Sequence, residues 1–291
     1  MSDRAGKLDG RAIARAFERA SASYDAHAII ASTARTEMLA RLELLAFTPQ
    51  VVVDLGTGTG HAARALKDRW PSANVLAVDR SVGMLREARG RRSWRRRFAH
   101  VRADAARLPF ASGTVDLIFS NLLLPWSVDL DAQLLELKRV LTPRGYVSFS
   151  TLGPDTLREL RSAWGAVDGD EHVHPFFDMH DIGDALLRAG FADPVMDVDR
   201  YTLTYPDVRS LVAELRGLGA RNALDDRARG LGARGSRVRV EAGYARFKTA
   251  DGRLPATCEV IYGQAWRPGA TPPIRARRGE VVVPFGTIGR R

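Results

Sequence analysis

The stretch that leaves a chain like this the fewest ways to fold is Val51 to Gly60, V-V-V-D-L-G-T-G-T-G. Three β-branched residues feed an acidic residue, and glycines follow at alternating positions, Gly56, Gly58 and Gly60. Directly behind them, His61-Ala-Ala-Arg-Ala-Leu-Lys opens a helical pattern. A buried strand that breaks into a glycine loop and then a helix N-terminus lets a ligand lie against bare backbone. That is the shape of a nucleotide site.

The surrounding pattern supports it. Strand signals at 51–55, 74–79, 97–102, 115–120 and 145–151 alternate with helix signals at 61–69, 81–90 and 130–141. Strands alternating with helices imply an α/β fold whose mostly parallel sheet is covered on both faces. Residues 10–46 read as helices, broken around Phe17 to Asp25. After Thr151 the rhythm changes. A helix with Pro154 near its start and Asp155 in its first turn is expected, then a histidine-rich loop at 171–177 and a helix from Asp181 to Ala189 stopped by Gly190. A strand at 195–205, a helix at 206–218 and a glycine- and arginine-rich loop at 220–237 come next. The late stretch Ala256 to Gly263 reads as a strand at the sheet edge. Past Trp266, prolines and arginines mark 267–291 as a loosely held basic tail.

Composition narrows the class. The N-terminal residues are polar and lack the apolar core of a signal peptide, and no window approaches a membrane span, so a soluble cytoplasmic protein is expected. The single cysteine, Cys258, excludes an internal disulfide and any cysteine-cluster metal site. His172 and His174 have i, i+2 spacing and no acidic ligand cluster beside them, so no metal is expected. The formal charge of +10 is concentrated in Arg86, Arg89, Arg91, Arg92, Arg95, Arg96 and Arg97 and in the tail. Such a field either attracts a polyanion or is simply a solvated helix end.

Two ligands compete for the glycine loop. Gly58-Thr-Gly60-His-Ala-Ala63 fits a dinucleotide fingerprint loosely. Asp54, however, stands two residues before Gly56, and a carboxylate there favours a ligand with a positive amine over a pyrophosphate. S-adenosylmethionine carries such an amine. Asp79 ends the second strand, placed to accept from ribose hydroxyls. Asp104-Ala105 follows the third strand, where a carboxylate can accept from an adenine amino group, and Ser120-Asn121 ends the fourth. Each acid taken singly is an ordinary cap or turn former. Acids at the ends of three successive strands favour S-adenosylmethionine.

With those residues in view, the chain resembles the class I S-adenosylmethionine-dependent methyltransferases. Its flanks are more specific. Phe17 to Asp25, Phe119-Ser-Asn-Leu-Leu-Leu-Pro-Trp126, Phe149 to Arg161, Asp178 to Leu186, Leu203 to Val208 and Leu254 to Gly263 resemble the malonyl-acyl-carrier-protein O-methyltransferase family. The resemblance covers roughly residues 11 to 266 and implies a Rossmann-like seven-stranded sheet in one domain, 1–266. The core would be about 47–151, 179–205 and 254–266, with a lid from 10–46, 152–178 and 206–250. It implies a cofactor site of Asp54, Gly56, Thr57, Gly58, Gly60, Asp79, Arg80, Met84, Asp104, Ala105, Asn121 and Leu122. The implied reaction caps the free carboxylate of a malonyl thioester, on acyl-carrier protein or coenzyme A, as its methyl ester for biotin synthesis. Thr57 stands where many relatives have Cys, with little consequence expected for a loop that works through its backbone. Pro125 stands where relatives often have Gln or His. A complex I assembly factor that hydroxylates arginine shares the scaffold and keeps a second chemistry open.

A malonyl carboxylate is already ionised near neutral pH and needs no general base. What the reaction needs is placement, exclusion of water and a clamp for the carboxylate. Tyr24 is expected to offer a hydroxyl at the methyl site, and Trp126 to wall it. Arg158 and Arg161 share a helix face; either can hold the carboxylate by its fork or pair with a neighbour such as Glu159. Arginines of 86–97 or 220–237 are expected to meet an acidic carrier protein. A nucleic-acid methyltransferase would want an Asn-Pro-Pro-Tyr type loop after the fourth strand, and this chain has Ser120-Asn-Leu-Leu, so no nucleic acid and no membrane are expected as partners. A non-enzymatic module would keep the acids but lack a closed methyl pocket.

Overall fold

The computed structural model describes residues 8–43, 48–91, 94–168, 171–220 and 234–269. The N-terminal segment forms α1 (Gly10–Ala20), the single turn α2 (Tyr24–His27) and α3 (Ile29–Glu43). The alternating part then runs β1 (Val51–Leu55), α4 (His61–Arg69), β2 (Asn74–Asp79), α5 (Val82–Gly90), β3 (Ala99–Arg102), β4 (Val115–Asn121), α6 (Leu130–Val140) and β5 (Leu141–Leu152). It is followed by α7 (Arg158–Gly165), α8 (Met179–Ala189), β6 (Ala192–Tyr205), α9 (Val208–Gly217), α10 (Arg234–Tyr244) and β7 (Leu254–Trp266).

The seven strands make one sheet in the order β3-β2-β1-β4-β5-β7-β6. β1 pairs in parallel with both β2 and β4, so the strand order turns around it and opens a crevice at its carboxyl end. Val53, Ile118, Val147 and Ile261 point to one face, where Leu134, Leu137, Ile182 and Leu186 of α6 and α8 cover them. Val52, Val75, Leu117 and Val260 point to the other, against Ala34, Met38 and Leu42 of α3 and Leu66 of α4. Both faces of the central strands are apolar because neither meets water. A third apolar cluster joins α7, α9 and α10 (Leu160, Leu211, Val240 and Tyr244) to the ends of β6 and β7 at Tyr205 and Leu254.

Several expectations are corrected here. β7 is interior, hydrogen-bonded antiparallel to β5 on one side and β6 on the other, and β6 is the edge strand. Residues 256–263 of β7 carry few charges because both neighbours and both faces cover them. The helix expected from Pro154 begins only at Arg158. Leu157 is left-handed at φ 56°, and Thr156 is turned to place its hydroxyl on the Glu259 carbonyl at 3.1 Å. Tertiary bonds to β7 thus override the local cap signal. The loop expected at 220–237 becomes helix from Arg234, and 221–233 lie outside the described residues. So do Arg92 and 270–291, which hold most of the basic tail.

Candidate active site

All three glycines of the loop after β1 are left-handed, with φ 71° at Gly56, 53° at Gly58 and 84° at Gly60. At Gly60 a Cβ would lie 2.7 Å from the Ala88 Cβ and 2.8 Å from its Cα, so the loop end is pressed on α5. At Gly58 a Cβ would meet nothing within 4 Å, because that position faces the open cleft. The two constraints differ: Gly60 is required by packing, Gly58 by conformation and by what lies against it.

Two carboxylates fasten this loop. Asp54, 1% exposed, accepts from the Thr57 hydroxyl at 2.5 Å and from the Ala63 N–H at 2.8 Å. Burial pushes its carboxyl up to about 7, only partly offset by those two donors, and the neighbouring Asp79 charge adds to the rise. The hydroxyl at 57 is therefore used, contrary to the expectation that the loop works through backbone alone. Asp79 accepts from the Gly58 N–H at 3.0 Å and the Ser81 N–H at 2.9 Å; burial raises its carboxyl despite them. Along the same crevice stand Arg80, Met84, Asp104, Ala105, Asn121 and Leu122. Arg80 Nη1 lies 3.5 Å from Asp104 Oδ2, and the Asp104 carboxylate caps the Ala106 N–H. The Asn121 amide donates to the Ala31 carbonyl at 2.9 Å and accepts from Ser150 at 2.7 Å, which ties α3 to the strand ends. Leu122 is left-handed at φ 53° and strained, its N–H held by the Ser150 carbonyl and hydroxyl.

The N-terminal segment straps across this crevice. Glu18 accepts from the Ser81 hydroxyl at 2.6 Å and the Gly83 N–H at 3.0 Å, which fixes α1 to the start of α5. The Ser81 and Gly83 bonds hold its carboxyl below the usual range. Asp25 accepts from the Thr59 hydroxyl at 2.6 Å and bonds Arg91, with His61 Nε2 at 3.4 Å. Burial alone would raise the Asp25 carboxyl; the Thr59 bond and the Arg91 charge outweigh it and hold it low. Tyr24, beside that latch, lines the cleft together with Asp54, Gly56, Thr57, Gly58 and Arg35. Burial first, then the Asp79 and Asp25 charges, push its phenol up to about 12, so it stays a neutral donor.

Beyond Tyr24 opens a second, mostly apolar cavity. Phe17, Tyr24, Leu122 and Trp126 belong to both walls; Leu160, Val173, Phe176, Leu203 and Leu211 complete the far one. Trp126 is brought in by a short 3₁₀ turn, Leu124–Trp126, whose buried Pro125 fixes its entry. Its ring meets Phe17 edge-on at 5.2 Å and His174 at 5.1 Å.

The crevice brings together all the expected cofactor residues except Gly60, which packs beneath it on α5. Tyr24 and Trp126 reach the junction. Arg158 does not: its side chain is 58% exposed and pairs with Glu159 at 3.3 Å. Arg161 donates to the Pro154 and Thr156 carbonyls, holding the turn before α7. Sequence reasoning missed Glu18, Asp25, Thr59 and Arg35. Only the Phe17 to Asp25 stretch carried a signal, for the first two.

The donor set suits an α-amino acid joined to a nucleoside. Asp54 brings a carboxylate and Arg35 a guanidinium to one part of the cleft, Asp79 brings a second carboxylate further along, and the bare Gly58 leaves room between. A family model described as "Methyltransferase domain" matches residues 53–149. A malonyl-[acyl-carrier protein] O-methyltransferase of Laribacter hongkongensis is 45% identical over 95% of this chain and 96% of its own length. One from Halorhodospira halophila is 44% identical over 99% and 98%. The chain belongs to the malonyl-[acyl-carrier protein] O-methyltransferase family. Among solved structures, the YcgJ protein of Bacillus subtilis superposes with a TM-score of 0.58 at 14% identity, covering 81% of this chain and 99% of that one. At that identity the likeness is one of fold. Family membership agrees with the resemblance in the flanking segments, which lie largely outside the matched 53–149.

Proposed function

We propose that this chain transfers a methyl group from S-adenosylmethionine to the free carboxylate of a malonyl thioester on acyl-carrier protein, giving the methyl ester used in biotin synthesis in the cytoplasm. The observation that carries the reading is the shared wall at Tyr24: an acid-lined cleft suited to the coenzyme opens onto an apolar cavity suited to an acyl chain. The names of the relatives point to the same substrate. No helix among the described residues is long and apolar enough to cross a membrane.

S-adenosylmethionine, when bound, supplies an electrophilic methyl on a sulfonium. The glycine loop, Asp54 and Asp79 would hold and orient it, and Asp104 and Arg80 would close the adenine side. A malonyl carboxylate is an anion at neutral pH, so no residue has to remove a proton. The bound coenzyme would supply the methyl group to one carboxylate oxygen, its carbon–sulfur electron pair leaving on sulfur. Tyr24, neutral and held by the Asp25 latch, orients that oxygen, while Phe17 and Trp126 exclude water.

As a single domain, 1–266, the chain would place its lid in 10–46, 152–178 and 206–250, except that α3 packs on a face of the sheet. A basic entrance for the acidic carrier protein has to use arginines not already committed. Arg91 is bound to Asp25 and the Thr59 carbonyl, and Arg96 to Asp68, which leaves Arg86, Arg89, Arg97 and Arg95, the last over the Trp94 ring, in the described part of that cluster. Incubation with methyl-labelled S-adenosylmethionine and malonyl-loaded carrier protein tests the whole reading. Base-labile label on the acyl group is the expected result, and absence of any label there overturns it.

A further inference from the structure

The arginines offered by the sequence as carboxylate clamps are spent elsewhere, Arg158 on Glu159 and Arg161 on the carbonyls of its own turn. Among the described residues, no arginine or lysine lines the apolar cavity. Along its described walls an anion meets neutral or imidazole donors. His172 and His174 lie in the stretch 152–178 that the sequence assigns to the lid.

Their placements differ. His172 is held on its Nε2 by Asp168 at 2.8 Å and stacks on Trp164 with ring centroids 3.6 Å apart, on the side of the cavity that continues to a surface groove of Pro154, Arg161 and Pro175. His174 is only 5% exposed, its ring 5.1 Å from Trp126 and 4.8 Å from Phe176. Trp126 belongs to the walls of both the coenzyme crevice and the acyl cavity, so His174 stands at the end where the methyl group passes. The α9 wall carries Glu214, bonded to the Tyr205 hydroxyl at 2.8 Å, and its charge repels an anion from that side. An imidazole donates an N–H in either protonation state, and two aromatic neighbours fix its plane.

We propose that His174 binds the free carboxylate of the acyl substrate and is the residue that distinguishes a malonyl terminus from an uncharged one. The inference rests on the proposed reading of the cavity as an acyl site. Together with Tyr24 it provides two donors from opposite segments, the N-terminal strap and the loop before α8. The thioester end then points past His172 and Phe176 towards the surface groove, the direction a pantetheine arm requires.

The test uses the full chain with S-adenosylhomocysteine bound and two probes, malonyl-pantetheine and acetyl-pantetheine. His174→Phe keeps a ring between Trp126 and Phe176 and removes the donor. The dissociation constant for malonyl-pantetheine is expected to rise about tenfold or more, as for loss of a hydrogen bond to a charged group. Preference for malonyl-pantetheine over acetyl-pantetheine as a ligand should vanish, S-adenosylhomocysteine affinity should be unchanged, and His174→Gln should recover part of the loss. A second measurement needs no variant: in wild-type protein the His174 imidazole resonances should shift on adding malonyl-pantetheine and not on adding acetyl-pantetheine. Unchanged discrimination in His174→Phe, or equal shifts with both probes, overturns the assignment. If the wild-type protein does not label malonyl carrier protein at all, it is the reaction that fails, and the two failures are distinguishable.

Discussion

In the coenzyme cleft, the two carboxylates that hold the glycine loop are fastened mainly to partners close by in the chain: Asp54 to Thr57 and Ala63, Asp79 to Ser81 and, across one strand pair, Gly58. In the acyl cavity, the facing side chains come from Phe17, Trp126, His174, Tyr205 and Cys258, which only the folded chain brings together. The cleft is a backbone device with few tolerated alternatives at each glycine. The cavity is a side-chain device, shaped by what packs beside what. A local device leaves a motif, and a nonlocal one leaves only scattered apolar and polar residues.

Substitutions on either side of Tyr24 should separate the two. The largest effect is expected from Gly60→Ala. A Cβ there meets the Ala88 backbone at a left-handed φ, and the combined strain and overpacking should cost about 2–5 kcal/mol. Thermal denaturation and loss of S-adenosylhomocysteine binding by calorimetry would check it; wild-type stability in this variant would break the claim that the loop is pressed on α5.

Tyr24→Phe sits on the boundary. Turnover should fall about a hundredfold while coenzyme affinity stays within about threefold, because the hydroxyl is used on the acyl side. Single-turnover rates and calorimetry on the same preparation decide this. A matching loss of coenzyme affinity would move Tyr24 to the other region.

Coenzyme affinity should also depend on pH through Asp54. Its carboxyl lies at about 7 in the folded chain, above its ordinary value, so the protonated form is favoured by folding. That contribution to stability is complete below the ordinary carboxylate range and is lost as pH rises towards 7. Binding a cationic amine demands the opposite, ionised form. Affinity should therefore weaken about tenfold per pH unit below 7 and level off above it. Calorimetry across pH 5 to 8, in buffers of different ionisation heat, should find proton release on binding. Thr57→Val, lacking the hydroxyl donor, should move the inflection upward, and a flat profile in the wild-type protein would count against an ionising Asp54.

The smallest effect is expected from Asp25→Asn. It weakens the latch on Arg91 while leaving a weaker bond to Thr59, about 1–2 kcal/mol, and should raise the coenzyme dissociation constant about tenfold. Rapid-mixing measurement should place the change in the dissociation rate, since a strap that opens more often releases its ligand faster. An unaltered dissociation rate would show that the strap does not hold the coenzyme.

Most of the fold is legible in the sequence, and the reason is visible in particular elements. β1, α4 and β2 fall where the alternation of β-branched runs and helical periods put them, since each is set by its own residues. α7 and β7 escaped. Leu157 takes a left-handed conformation because its N–H is held by the Thr257 carbonyl, and the place of β7 between β5 and β6 is a fact of pairing that no local pattern encodes. The site divided along the same line.

By itself the sequence determined the glycine loop, the acids at the strand ends and the doubly covered sheet, because those follow from backbone conformation and periodicity over short spans. Only the tertiary structure decided that Asp25 and Glu18 strap α1 and α2 over the crevice, that Arg158 and Arg161 turn away from the acyl cavity, and that His174 enters it beside Trp126. Those outcomes depend on which distant side chains compete for the same hydrogen bonds, and that competition is settled by packing.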